Sequence, residues 1–187
     1  FMAEKGCRKY CLTRGLNPEK ENRICIMRDT QPMSGDTNQI LKIHSVSVSD
    51  RTEFFKVPEK KVKIEFIGDS ITSGEGMVGS PEEVDWISQW ISVSENYAVQ
   101  TALKVDADFN IISQCGWGVV TGWDNNIYSR IPLHYKKVCS LQNGAVQRAS
   151  GSEEDWDCSL FAPDYIFVNL GTNDSGAFNQ PLWKDPE

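Results

Sequence analysis

Residues 62–76 read VKIEFIGDSITSGEG, and this stretch decides the fold class. Its first seven residues are dominated by β-branched and aromatic side chains, which is typical of a buried strand. The apolar run stops at Gly68, and Asp69 and Ser70 follow where the strand ends. Ser70 then has two interpretations. It is either a nucleophile held at the tip of a strand or the N-cap of the next helix, because serine is a preferred capping residue.

Two further segments, FNIIS (109–113) and DYIFVNLG (164–171), are predicted strands of nearly continuous apolar character. Before them, SENYAVQTALKV (94–105) has apolar residues at helical spacing, and Ser94 is its predicted N-cap. Near-continuous apolar strands that alternate with helices indicate a parallel sheet covered on both faces. The sequence therefore predicts an α/β domain over residues 59–187.

Residues 1–58 have a different pattern, which predicts β structure. The runs at 7–12 and 23–28 alternate in polarity, and the run at 39–49 is rich in β-branched residues. KVPEKK (56–61) is a charged, proline-containing linker. Because three strands cannot form a stable two-layer core alone, we expect this region to be part of a small, jelly-roll-like β-sandwich or an addition packed against the domain that follows.

Composition excludes several classes of function. The chain has 187 residues and a net charge of −7, so it lacks the basic surface that nucleic acids or anionic membranes require. No apolar run approaches the roughly 20 residues of a membrane span. No nucleotide-binding glycine motif and no cluster with metal-ligand spacing is visible. Six cysteines leave the disulfide state and the compartment open.

Each predicted strand of the α/β domain ends in a small polar motif. The first ends in residues 68–70, the second is followed by Gly116 and Gly118, and the third is followed by Asn173 and Asp174. Ligands of open parallel sheets bind outside the carboxyl ends of the strands. A nucleophilic hydrolase needs a hydroxyl there, together with N–H donors for a developing oxyanion. Taken singly, each motif also fits a cap or a turn.

The segments IEFIGDSIT, ISQCGWG and LGTND resemble blocks I, II and III of the SGNH (GDSL-type) hydrolase superfamily. WDCSLFAPDYIFVNLGTND (156–174) brings the resemblance closer to carbohydrate esterase family 2. The resemblance implies a flavodoxin-like three-layer α/β/α domain, here incomplete, preceded by a small β-sandwich. It also implies a serine ester hydrolase that removes small acyl groups, most simply acetyl, from a carbohydrate through an acyl-enzyme. The reaction implied needs no cofactor or metal.

The resemblance also implies roles for particular residues. Ser70 is the expected nucleophile, and its own backbone N–H is the first oxyanion donor. Gly118 supplies the second donor and Asn173 the third, through its side-chain amide. Asp69 and Asp174 are expected to support the site by hydrogen bonding rather than to react.

Aromatic side chains near the motifs are candidates for stacking on sugar rings, although tryptophan more often packs in a core. Trp117, between two glycines, is the favoured candidate for substrate binding. The other candidates are Trp123, Trp156 and Trp183.

A serine hydroxyl is a poor nucleophile without a base beside it. The superfamily carries that base in a D-x-x-H block near its C-terminus, and the last 13 residues after Asp174 contain no such block. The histidines present, His44 and His134, are not expected to serve as the base. We therefore expect the general base in a lost C-terminal segment or in a second chain. The alternative is a catalytically incompetent fragment, or a protein that binds carbohydrate or another partner.

Overall fold

The computed structural model describes residues 4–32, 39–49, 52–82 and 86–180. In these residues three strands form one sheet: β1 Val62–Gly68, β2 Ala107–Ser113 and β3 Tyr165–Asn169. The α-helices are α1 Ser70–Ser73, α2 Tyr97–Lys104, α3 Ile131–His134, α4 Ala145–Arg148 and α5 Thr172–Phe178. Single 3₁₀ turns lie at Ser88–Trp90 and Cys158–Leu160.

The sheet is parallel throughout, with the order β2-β1-β3. Gly68 pairs with Ser113 on one side and with Asn169 on the other, so the three strands end level. This order is the first half of a flavodoxin-like sheet, in which the order of strand addition reverses between β1 and β3 while the strands stay parallel. The prediction of an α/β fold with a parallel sheet is confirmed. The first strand has the predicted bounds, β2 starts two residues early and β3 is shorter than predicted.

One face of the sheet is covered by α2. The buried core there is formed by Phe66, Ala98, Ala102 and Ala107. The small alanine side chains let the helix lie close to β1 and β2. The rings of Phe66 and Tyr97 pack edge to face, with their centroids 6.0 Å apart. Phe66 pairs in register with Ile111, so alternate residues of both strands face the helix.

The start of α2 differs from the prediction. Its N-cap is Asn96, whose Oδ1 accepts the backbone N–H groups of Ala98 and Val99 at 3.0 and 3.2 Å. Ser94 lies two residues upstream and instead contacts Asp29. Ser94 and Asn96 are both good capping residues. The choice between them follows from what else each side chain contacts in the folded chain.

The opposite face of the sheet holds a buried carboxylate. Glu65 is 4% exposed and accepts hydrogen bonds from Asn110 Nδ2 at 3.0 Å and from Tyr135 Oη at 2.7 Å. The bond to Glu65 keeps the phenol protonated and, together with burial, raises the pKa of Tyr135 to about 12. Glu65 therefore joins β1 to β2 and to the residue that follows α3.

The described part of the N-terminal region forms no strand that belongs to a sheet. The three predicted runs have no regular secondary structure, and residues 4–28 and 40–49 are exposed throughout. Isolated strands bury too little apolar surface to pair stably without a larger sheet or a partner layer. The β-sandwich expected for residues 1–58 stays a prediction. Residues 29–32 differ from the rest because they contact the α/β domain.

Across the described ranges, every helix is too short or too polar to cross a bilayer.

Candidate active site

Ser70 is the first residue of α1, directly after the central strand. The N-cap of α1 is Asp69, whose Oδ1 accepts the backbone N–H of Ile71 at 3.1 Å. Ser70 is therefore not the cap, and its half-buried side chain lies at the N-terminal end of the helix. The structure removes the capping interpretation, which was the main alternative to a nucleophile.

Two glycines create the tight turn that carries Ser70. A Cβ on Gly68 would lie 1.9 Å from Thr72 Oγ1, so glycine is required for α1 to cross the end of β1 this closely. Gly74 ends the helix with φ 84°, and a Cβ on it would lie 2.2 Å from the carbonyl oxygen of Ser92. The serine is thus held on one helical turn between two close backbone approaches.

Side chains from neighbouring elements fix α1 from its other side. Asn96 Nδ2 donates to the carbonyl oxygen of Thr72, and Thr72 Oγ1 lies 2.8 Å from Tyr97 Oη. Ser73 Oγ donates to Ser113 Oγ at the end of β2, at 2.9 Å. Sequence reasoning missed Asn96 in this role. The only feature of the sequence that could have indicated this role is the position of Asn96 immediately before an apolar helix.

The end of β3 brings Asn173 to the same edge of the sheet. Gly171 adopts φ 119°, which favours glycine, and starts α5 with Asn173 in its first turn. Since β1 and β3 are adjacent and end level, Ser70 and Asn173 follow neighbouring strand ends at the reversal point where such sheets bind ligands. Asn173 Nδ2 donates to the carbonyl oxygen of Trp117 at 2.8 Å and lies 3.5 Å from Asp69 Oδ2. Asn173 therefore links all three motifs.

Asp174 holds the loop after the second motif. Its carboxylate accepts the backbone N–H groups of Val119, Val120 and Thr121, at distances between 2.7 and 3.3 Å. Burial alone raises the pKa of Asp174, but these N–H groups outweigh it and bring the pKa below its ordinary value of 3.8. The side chain is 6% exposed. All of these contacts anchor the loop.

Gly118 lies against the same carboxylate. A Cβ at this position would be 2.4 Å from Asp174 Oδ2, so no other residue fits here without moving the loop. Its N–H donates to the carbonyl oxygen of Ser129 at 3.4 Å, a long bond that leaves the group only weakly engaged. The role of Gly118 as an oxyanion donor stays a prediction.

Asp69 is the most buried charged side chain of the site, at 1% exposure. Burial raises its pKa, and the hydrogen bond from the backbone N–H of Ile71 opposes this only in part. One oxygen of this carboxyl group accepts the Ile71 N–H, and the other lies 3.5 Å from Asn173 Nδ2. The supporting role of Asp69 stays a prediction.

Trp117 does not offer an open face for a sugar. It is 6% exposed, and its ring packs on His134 with the centroids 4.3 Å apart. The prediction that Trp117 stacks on substrate is therefore corrected. The ring is instead buried against His134. Trp123 is 61% exposed and contacts Gly116, Trp156 is half-buried, and Trp183 lies outside the described residues.

The histidines lie elsewhere. His44 is exposed in the N-terminal region, in a stretch without regular secondary structure. His134 Nδ1 lies 2.5 Å from Ser140 Oγ, and its Nε2 lies 3.3 Å from the carbonyl oxygen of Tyr128. Burial lowers the pKa of His134. Among the described residues, neither histidine is hydrogen-bonded to Ser70, and no group of three or more His, Cys, Asp and Glu side chains is placed to hold a metal ion.

Comparison with known proteins places this arrangement among carbohydrate esterases. No family model matches the chain. An acetylxylan esterase / glucomannan deacetylase from Cellvibrio japonicus is 27% identical over 119 residues, which are 63% of this chain and 30% of that protein. The structure of an acetyl xylan esterase from the rumen bacterium Butyrivibrio proteoclasticus is 50% identical with a TM-score of 0.66, and the match covers 69% of this chain and 34% of that one.

A family two carbohydrate esterase from Clostridium thermocellum, solved in complex with cellohexaose, is 30% identical with a TM-score of 0.54, over 65% of this chain and 34% of that one. The chain thus spans about a third of the length of the proteins it matches. The resemblance predicted from the three motifs is confirmed. The chain is similar to a part of the family 2 carbohydrate esterases.

Proposed function

We propose that this chain is the nucleophile-bearing part of a serine ester hydrolase that removes acetyl groups from a carbohydrate. The observation that carries the proposal is the position of Ser70 at the start of α1, beside Asn173 at the next strand end. The acetylxylan-active and cellohexaose-bound relatives support the choice of an acetylated polysaccharide as substrate.

The proposed chemistry follows from the groups at this edge. Ser70 Oγ attacks the acetyl carbonyl carbon as its proton passes to a base, and a tetrahedral oxyanion forms. The Ser70 and Gly118 N–H groups and the Asn173 amide stabilise that oxyanion more than the neutral ester. The C–O bond to the sugar then breaks, the protonated base returns its proton to the sugar oxygen, and water later releases acetate from Ser70.

The base is part of the proposal. The described hydrogen bonds of His134 are to Ser140 and Tyr128, and His44 is exposed in the N-terminal region. We assign the base to a residue outside the described ranges, carried either by a further segment or by a second chain.

The test uses the protein expressed from its complete gene. We expect hydrolysis of p-nitrophenyl acetate and release of acetate from acetylated xylan, both reduced by Ser70→Ala roughly a thousandfold or more. Ser80→Ala removes an exposed loop hydroxyl and serves as the control. Mass spectrometry of protein treated with a fluorophosphonate should find the label on Ser70.

The outcome also separates the alternative function. Oligosaccharide binding by calorimetry, with no hydrolysis and no fluorophosphonate label, would establish a carbohydrate-binding protein that retains the fold. Full activity in Ser70→Ala would rule out Ser70 as the nucleophile.

A further inference from the structure

We propose that Asp29 is a positioning residue for Ser70. Asp29 lies 41 positions upstream, within residues 29–32, which contact the α/β domain. The inference rests on the proposed function, because it concerns the placement of the nucleophile. Two sets of hydrogen bonds, which meet at Ser92, connect Asp29 to the helix that begins at Ser70.

The first set joins Asp29 to the loop before α2. Its Oδ1 accepts the backbone N–H of Ser94 at 2.7 Å, and its Oδ2 accepts the hydroxyls of Ser92 and Ser94, each at 3.0 Å. The carbonyl oxygen of Asp29 accepts the N–H of Val93 at 3.1 Å. Hydrogen bonds to an ionised carboxylate are about twice as strong as neutral ones. This loop is therefore fixed by a residue distant in sequence.

The second set joins the same loop to α1. The N–H of Ser92 donates to the carbonyl oxygen of Gly74 at 3.0 Å, and the N–H of Val78 donates to that of Trp90 at 3.3 Å. Ser92 is 3% exposed, and its backbone lies so close to Gly74 that a Cβ there would overlap it. Gly74 is the C-cap of the four-residue helix that begins at Ser70.

Ser92 therefore bonds Asp29 with its side chain and the C-cap of α1 with its backbone. One helical turn has too few internal hydrogen bonds to hold itself, so its geometry depends on outside contacts. Two neighbouring residues strengthen the connection. Thr30 Oγ1 donates to the carbonyl oxygen of Ser88, and Gln114 Nε2 lies 3.5 Å from that of Pro32, beside the second motif. Residues 29–32 thus form a strap across the strand ends, whereas residues 4–28 are exposed.

The test compares Asp29→Ala with Asp29→Asn in the protein expressed from its complete gene. Alanine removes every side-chain acceptor. Asparagine keeps an oxygen for the Ser94 N–H, and its amide N–H can donate to serine hydroxyls, which also accept. Displacing a reacting group by about 1 Å can cost roughly 100-fold in rate. We expect kcat to fall 10- to 100-fold in Asp29→Ala with KM within about twofold, and to recover in Asp29→Asn.

Hydrogen exchange gives a measure that does not depend on activity. In Asp29→Ala, amides in residues 70–78 and 88–96 should exchange at least about fivefold faster, because the bonds that protect them open more often. Glu21→Ala removes an exposed carboxylate of the same region and should change neither measure.

The outcomes separate the two proposals. Unchanged kcat in Asp29→Ala would overturn the positioning role, whether or not exchange accelerates. If the wild-type protein shows no esterase activity, the proposed function fails. The hydrogen-exchange rates of Asp29→Ala then test by themselves whether Asp29 holds α1 in place. Faster exchange in residues 70–78 supports it, and unchanged exchange overturns it.

Discussion

At the scale of single residues, the hydrogen bonds at position 174 require a carboxylate more specifically than those at other positions of the site. Its two oxygens accept three consecutive backbone N–H groups, and a carboxylate suits them because it accepts through both oxygens and has no donor of its own. In Asp174→Asn, the new NH₂ group would face one of those N–H groups. We expect a loss of about 1–3 kcal/mol of unfolding free energy, measured by denaturant titration, and a lower kcat.

Asp155→Asn is the matched control, because that carboxylate is exposed and forms only a surface ion pair with Lys137. Its unfolding midpoint should stay at that of the wild type. Equal midpoints for Asp174→Asn and wild type would show that the loop does not depend on Asp174.

At the scale of elements, the contact between β1 and α1 depends on Gly68. A methyl group there would overlap Thr72 Oγ1 and approach the carbonyl oxygen of Asn169 to 3.0 Å. Thr72 is fully buried and cannot turn away freely. Overpacking of this kind costs about 1–3 kcal/mol, so Gly68→Ala should lower the free energy of unfolding by that amount and reduce esterase activity.

Gly176 offers the opposite case for the same substitution. It lies inside α5, and a Cβ there would meet no atom within 4 Å. Alanine in an open helical position restricts the unfolded chain, so Gly176→Ala should stabilise by about 0.4–1 kcal/mol. Chemical unfolding of the two variants side by side tests both. If both changes have the same sign, the steric argument for Gly68 fails.

At the scale of the whole molecule, the pH dependence of stability reports which groups the fold has buried. Burial lowers the pKa of His134 below its ordinary 6.5, so the unfolded chain binds a proton more readily than the folded one. The stability due to neutral His134 is present above about pH 6.5 and is lost as the pH falls through its folded pKa. The Tm should therefore fall with acidification in this range, and His134→Gln should reduce the slope.

His44→Gln changes an exposed histidine and is the control for that slope. The alkaline side has the opposite sign. Because the pKa of Tyr135 is raised to about 12, stability due to its protonated phenol is present below about pH 10 and is lost as the pH approaches 12. Tyr135→Phe should flatten that decline in Tm. An unchanged alkaline decline in Tyr135→Phe would mean that other groups cause it.

The sequence by itself determined the α/β class, the three strands of the sheet and the order of the motifs that follow them. These are local properties, because apolar runs and the glycines that end them depend on neighbours in the chain. Position along the chain also predicted that Ser70 and Asn173 follow the ends of strands in one sheet. In a parallel sheet, the carboxyl ends of all strands lie at one edge, and this does not depend on the side chains that follow them.

Only the tertiary structure decided which polar residue near a helix start is its cap, which tryptophan is buried and what holds α1. Asn96 rather than Ser94 caps α2, because Ser94 bonds Asp29, 65 residues away in sequence. Trp117 is buried rather than open to a ligand, because its ring packs on His134, 17 residues later. Such contacts join residues distant in sequence, and no local pattern encodes which of several competent side chains will meet.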